Sequence, residues 1–324
     1  AGPVRSSALA LLEHVNLNVV DPAVAEAFFV GALGCVRNPK GSNWRQVHFN
    51  MGACQFHMPF KLTARVGEPV ETPQTWPGEL HLWVDDVAAA TERLQAAGLL
   101  AQGAEEVVVR WEGTPLRLST APVPAGAAPP GVHAGGNGRV LHMPVARHRT
   151  APGTAEGLAR WYRALLAART EVELLEGGEG LKVCKVHFDC GDTAWPQALV
   201  FEEDSSEQLP TEGEAIPEVL AYHICVYLES AEAFREAFRR AEGAGLLFVN
   251  QRFEGGPIEF ASAANWDEAE QACQFRVLDL RDPAKGGRLL LRLEHEVRGP
   301  GHKSFPLPGP PARDGPPAWG ELAL

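Results

Sequence analysis

Apolar residues along this chain change period in a repeating order: strand-like alternation, then helix-like spacing, then further short alternating runs broken by turn residues. Four segments begin the cycle. They are LEHVNLNVVDPAVAEAFFVGALG (12–34), ELHLWVDDVAAATERLQAAG (79–98), VLHMPVARHRTAPGTAEGLARWYRALLAA (140–168) and AYHICVYLESAEAFREAFRRAEGAG (221–245). Shorter echoes support the repeat: VHFNMG at 47–52 returns as VHFDCG at 186–191, and AAGLL at 96–100 returns as GAGLL at 243–247. Asp21-Pro22 supplies a helix start, and Gly34, Gly98 and Gly245 supply helix ends. The unit is strand, helix, then three strands, so the chain is predicted to be α+β, with four tandem βαβββ modules.

Breaks in the pattern set the expected domains. Modules one and two are assigned to residues 8–120 and modules three and four to 139–298, each pair sharing a curved mixed sheet. A Pro/Gly-rich stretch at 121–138 reads as the linker between them. An acidic loop at 203–218 separates the third and fourth modules, and the Pro/Gly-rich tail at 299–324 is expected to wrap the surface or stay disordered.

Each module carries a histidine in its first strand: His14, His81, His142 and His223. Side chains alternate faces along a strand. His14 lies with Asn16 and Asn18 opposite Val15, Leu17 and Val19; His223 lies opposite Ile224, Val226 and Leu228. The aliphatic face must pack on the helix, which turns the histidines toward the concave side. In the last strand Arg292, Glu294 and Glu296 share the face opposite Leu289, Leu291 and Leu293. Two imidazoles and a carboxylate on neighbouring strands make the facial arrangement that holds Fe(II) with open positions. His142, His223 and Glu294 are the expected metal ligands. Glu202, in PQALVFEED, is a fourth candidate that would suit a closed Ni or Zn site. His14, His57 and His81 are candidates for a second site or for substrate binding, although TPLRLSTAP, the last strand of module two, brings no carboxylate.

Composition narrows the function classes. With 29 Lys+Arg against 41 Asp+Glu, the formal charge is −12, and no basic surface is available for nucleic acid or anionic lipid. No apolar run approaches the ~20 residues of a membrane-spanning helix. The six Cys are widely spaced and read as reduced core thiols, which points to the cytoplasm, or to an organelle such as a plastid if a targeting segment has been removed. The expected partner is a small molecule, with the chain a monomer or homodimer.

The segments LEHVNLNV, VHFNMGACQFHMPF, AYHICVYL and QFRVLDLRDPAKGGRLLLRLEHEVR resemble the vicinal-oxygen-chelate superfamily, the fold of glyoxalase I, the extradiol dioxygenases and bleomycin-resistance proteins, across roughly residues 8–298. The resemblance implies a divalent metal, Fe(II) ahead of Ni, Zn or Mn, and a small oxygenated substrate. Extradiol dioxygenases carry four such modules, and His142, His223 and Glu294 match their ligand placement. Two features depart from that pattern: DTAWPQALVF has no clear acid-base His, and 274–293 contains no Tyr. Glyoxalase I-like enzymes use four ligands, which His142, Glu202, His223 and Glu294 would satisfy. A dioxygenase-like reaction is therefore set slightly ahead of a glyoxalase-like isomerase or lyase, with a non-catalytic sequestering protein as the third reading.

Overall fold

The structure is a computed structural model that describes residues 7–61, 69–101, 107–123, 131–189, 195–213, 222–250 and 263–307. The four modules are present. Module one holds β1 (Leu9–Asn16), α1 (Pro22–Glu26, continued by a π-helical turn at Ala27–Leu33), β2 (Val36–Arg37), β3 (Gln46–Met51) and β4 (Cys54–Pro59). Asp21 caps α1 by accepting from Ala23 N at 2.8 Å, and Gly34 ends the helical stretch with φ +89°, as the sequence indicated. Module two holds β5 (Gly78–Val84), α2 (Val87–Ala96), β6 (Val108–Trp111) and β7 (Thr114–Thr120). Module three holds β8 (Val140–Thr150), α3 (Ala155–Leu166), β9 (Arg169–Leu174), β10 (Lys182–Phe188) and β11 (Gln197–Glu203). Module four holds β12 (His223–Leu228), α4 (Ala231–Gly243), α5 (Trp266–Ala272), β13 (Gln274–Asp282) and β14 (Arg288–Arg298).

The modules pair differently from the sequential order expected. One seven-stranded sheet runs β13-β14-β12-β1-β4-β3-β2 and joins module four to module one. The other runs β6-β7-β5-β8-β11-β10-β9 and joins module two to module three. The division into 8–120 and 139–298 is therefore corrected to a nested pairing, outer with outer and inner with inner. A physical reason lies in the seam strands. Every residue of β1 and of β12 is buried, whereas β5 alternates between buried and half-exposed positions and β8 does so over much of its length. LALL and ICVYL are buried on both faces, so the edge they share lies in the interior, where unpaired backbone groups would be costly.

Two other expectations change. The stretch 131–136, read as part of a linker, packs against the first sheet: the His133 ring is bonded to Ala53 O at 3.0 Å, and Asn50 Nδ2 donates to Ala134 O at 3.0 Å. The first residues of the tail, 299–307, are also held in place, with His302 buried beneath Tyr227 and Phe305 packed on the core; 308–324 lie outside the described residues. Cys35, Cys54, Cys184, Cys225 and Cys273 are buried, as expected of core cysteines, while Cys190 lies outside the described residues. Among the described residues no helix is long and apolar enough to cross a membrane.

Among the bonds that join the two sheets is one buried amide. Gln197 of β11 accepts from Leu12 N at 3.0 Å and donates to Leu12 O at 3.0 Å and to Met143 O at 3.1 Å. Leu12 adjoins a bulge in the β1–β12 pairing, and a side chain thus satisfies its backbone groups across the sheet interface. Gln197→Leu leaves both groups of Leu12 buried and unpaired. Urea denaturation is expected to show a loss of about 2–4 kcal/mol, and a loss under ~1 kcal/mol would contradict this role.

Candidate metal centre

The concave face of the first sheet carries rows of polar side chains that follow from strand register. Across neighbouring strands, Asn50, Gln55, His14, Cys225, Glu296 and Arg276 stand opposite one another in one row. In the next row stand His48, His57, Asn16, His223 and Glu294, and in a third stand Tyr227, Arg298 and Gln274. The bulge after Leu12 adds Glu13 to the His14 side, because the extra residue of a bulge lets two successive side chains approach one face.

Three donor atoms converge. His14 Nε2 lies 3.3 Å from His223 Nε2 and 4.0 Å from Glu296 Oε2, and His223 Nε2 lies 3.6 Å from the same oxygen. Metal–ligand bonds of about 2.1 Å at roughly right-angle to tetrahedral openings place donors about 3.0–3.5 Å apart, so small side-chain adjustments give the set a shared ion. The other nitrogen of His14, Nδ1, is 2.5 Å from Glu13 Oε2. A hydrogen on Nδ1 donated to that carboxylate leaves the Nε2 lone pair directed at the other donors. Burial pushes the His14 ring well below the ordinary imidazole range, His223 and nearby arginines add to the effect, and Glu296 partly offsets it; the ring is neutral at physiological pH.

Charge balance comes from two arginines. Arg276 donates to Glu294 and, at 2.6 Å, to Glu296 Oε2, while Arg298 is paired with the other oxygen of Glu296 and reaches Glu13 Oε2 at 3.5 Å. Burial opposes ionisation of Glu296, but Arg276 and Arg298 together overcome it and hold the carboxyl well below the usual range. Glu13 moves the other way: burial raises it, against the pull of His133 and Arg298. Beside this centre the His14, His57 and His48 rings form a stack with centroid spacings of 3.6 Å, and His57 Nε2 bonds Gln55 Oε1 at 2.9 Å. Gln55 Nε2 donates to Asn50 Oδ1, which fixes the amide; His57 therefore carries its hydrogen on Nε2 and its lone pair on Nδ1. A cavity of about 470 Å³ opens over these residues, walled by 132–134 and 302–306.

The expected ligand set is thus divided between the sheets. His223 is in the cluster. Glu294 lies on the same face but is bound by Arg276 and by Asn250 Nδ2 at 3.1 Å, and Glu296, two residues on, occupies the place beside the imidazoles. His142 belongs to the second sheet, its ring between Trp83 and Trp195 and its Nε2 3.2 Å from Pro196 O. Glu202 is also in the second sheet, in an ion pair with Arg147, and His81 lies 2.6 Å from Glu79, which Arg117 also binds. His14 and His57, expected only as a secondary site, are in the centre of the cup. Module pairing is the cause: sequential pairing of modules three and four would put His142 in the cup of His223, and the nested pairing puts it in the other sheet. The sequence reading missed Glu13, His133, Arg276, Arg298 and His302. Glu296 was legible, since parity had already put it on the face of Glu294.

No family model and no curated protein sequence matches the chain. Solved structures do. Glyoxalase I from Zea mays superposes with a TM-score of 0.51 at 9% identity, over 89% of this chain and 92% of that one. The chain has the vicinal-oxygen-chelate fold. A catechol 2,3-dioxygenase (TM-score 0.27, 13% identity, 94% of this chain and 90% of that one) and lactoylglutathione lyase from Agrobacterium tumefaciens (0.25, 16%, 48% and 91%) are also among the matches. Both seven-stranded sheets of this α+β fold are open, and the cavity lies over the first.

Buried neutral imidazoles give the protein an acid limit. Burial pushes His142 and His148 down to about 4, partly offset by bonds to backbone carbonyls. Because these folded values lie below the unfolded one, the unfolded chain binds more protons between about 4 and 6.5, and stability is present above 6.5 and lost as pH falls. Each such ring is expected to contribute a loss of about 1 kcal/mol between pH 6 and pH 5, measured by urea denaturation, and His48, His295 and His302, also pushed down by burial, add to the total. His142→Gln should remove about 1 kcal/mol of that loss; a wild-type stability flat across the interval would contradict the burial of neutral rings.

Proposed function

We propose that the chain is a divalent-metal-dependent enzyme acting on a small oxygenated molecule in the cup shared by modules one and four. The observation that carries this reading is the convergence of His14 Nε2, His223 Nε2 and Glu296 Oε2, with His14 oriented by Glu13. Those three side chains would hold the ion. Two imidazole nitrogens and one carboxylate suit Fe(II) first and Ni, Zn or Mn next. The ion, when bound, would supply Lewis acidity toward paired oxygens of the substrate.

This chain's own residues supply the rest. Arg276 and Arg298 keep Glu296 ionised, and Glu13 fixes the tautomer of His14. His57, neutral through burial and with its Nδ1 lone pair available, is the group placed to accept a proton from a bound hydroxyl. The segments at 132–134 and 302–306 wall the cavity and limit water. Glu202, the carboxylate of the four-ligand scheme, stands in the other sheet, which favours a dioxygenase-like reaction over a glyoxalase-like isomerisation. A sequestering protein remains a second reading because Arg276 already donates to the Glu296 oxygen that faces the imidazoles.

Metal analysis of tag-free protein reconstituted anaerobically is expected to find about one equivalent of transition metal. His14→Ala, His223→Ala and Glu296→Gln should each weaken binding by more than about 100-fold, while His142→Gln leaves it intact. Binding that survives all three substitutions, or is lost in His142→Gln, would overturn the assignment. Oxygen uptake by the Fe(II)-loaded protein with small diols or oxo acids separates an oxygenase from a sequestering protein, which binds without consuming oxygen.

A further inference from the structure

We infer that the cup is built for an anionic ligand, a small molecule bearing a carboxylate, and that Gln274 and Asn16 are neutral donors that recognise it. This deepens the proposed function and rests on the same cavity being the ligand site, but on different residues. Gln274 is 1% exposed and lines the cavity. Its Oε1 accepts from Arg298 Nε at 3.1 Å. A guanidinium only donates, so the amide cannot be turned round, and Nε2 is a true N–H donor. That nitrogen is buried with no hydrogen-bond partner among the described residues.

Asn16, 3% exposed, also lines the cavity, and its Nδ2 is buried and unpartnered in the same way. Buried N–H groups without acceptors are rare because each forfeits its bond to water. Two at one cavity wall mark where a ligand's acceptor oxygens belong. Of the oxygens already present in the cup, Glu296 Oε2 is bonded to Arg276 and Glu13 Oε2 to His14, and the other oxygens of the two carboxylates lie within ion-pair distance of Arg298 and, at 3.2 Å, of His133.

Charge points the same way. Lys40, Lys303, Arg276 and Arg298 line the cavity against two carboxylates, Glu13 and Glu296, and counting Glu294 behind Arg276 still leaves the cations ahead. This excess occurs in a chain whose formal charge is −12. Lys40 and Lys303 are exposed at the rim, where they would attract an anion, and the amides lie deep, where they would orient it. A modest positive excess with planar neutral donors suits a carboxylate better than a multiply charged phosphate.

The test uses the metal-free full chain and the isosteric series oxalate, oxamate and oxamide, followed by calorimetry. Oxalate and oxamate are expected to bind saturably, with oxamide at least about tenfold weaker. Gln274→Glu keeps the acceptor for Arg298 but removes the donor, and is expected to weaken oxamate by at least about tenfold. Lys40→Gln, at the exposed rim and harmless to folding, should weaken it a few-fold and flatten its salt dependence. Equal binding of oxamide and oxamate, sulfate binding as tight as oxamate, or unchanged affinity in both variants would each overturn the inference. Oxamate binding by a chain that takes up no metal on anaerobic reconstitution would overturn the proposed function alone. Metal held without preference for the anion would overturn this inference alone.

Discussion

The antiparallel seam between β1 and β12 is the contact on which the cup depends. Each module is half a sheet with an open inner edge, and an unpaired edge of buried residues cannot be left in water. Joining β1 to β12 satisfies that edge and brings His14, near the start of the chain, opposite Cys225, with His223 two residues before it. The bulge in the seam matters as much as the pairing. It brings Glu13 to the side of His14 and leaves Leu12 to be satisfied by Gln197 from the other sheet. One irregularity thus orients a candidate ligand and fastens two sheets.

The polar rows over this seam work against stability when taken one at a time. Burying an ion pair costs desolvation that its Coulomb attraction often only matches, and well-packed hydrophobic residues would serve the fold as well. Here Glu13, Glu294, Glu296, Arg276 and Arg298 are all buried, with His14, His48 and His223 among them. Their arrangement is economical in a chemical sense. Each arginine touches Glu296 and one other carboxylate, so removing any member would strand a buried charge. A network with that much coupling fixes the position of every donor, which is what a coordination site needs and a hydrophobic core does not.

The repeating module was legible because it is local: period changes, caps such as Asp21 and Gly34, and the His-bearing first strands all belong to a few consecutive residues. Strand parity was legible too, and it correctly grouped Glu294 with Glu296 and set His14 beside Asn16. Partner choice between modules was not. It depends on which inner strands are buried along their whole length, as LALLEHVN and HICVYL are, and a seam between the first and fourth modules leaves no local pattern. The role of His133 and His302 was hidden for a different reason. Both lie in Pro/Gly-rich stretches whose composition forbids regular structure but does not forbid packing, and each is held by one specific bond, to Ala53 O and to Tyr227.

The second sheet shows how the same layout loses the donor set. In the first sheet His14 faces Cys225, which faces Glu296; in the second, at matching places in the strand order, His142 faces Trp83, which faces Ser119. A hydroxyl stands where the carboxylate would be. His81, in the place of His223, faces Arg117 instead of Glu294 and is bound to Glu79 at the half-exposed rim. The indoles of Trp83 and Trp195 then flank His142, with centroids 5.4 and 5.5 Å from its ring. Histidines therefore recur at both places in each sheet, but the carboxylate that stands across from Cys225 in the first sheet, held ionised by two arginines, is replaced by Ser119 in the second. The histidine of every first strand is a property of the repeated fold, and the chemistry is decided by what the neighbouring strand places across from it.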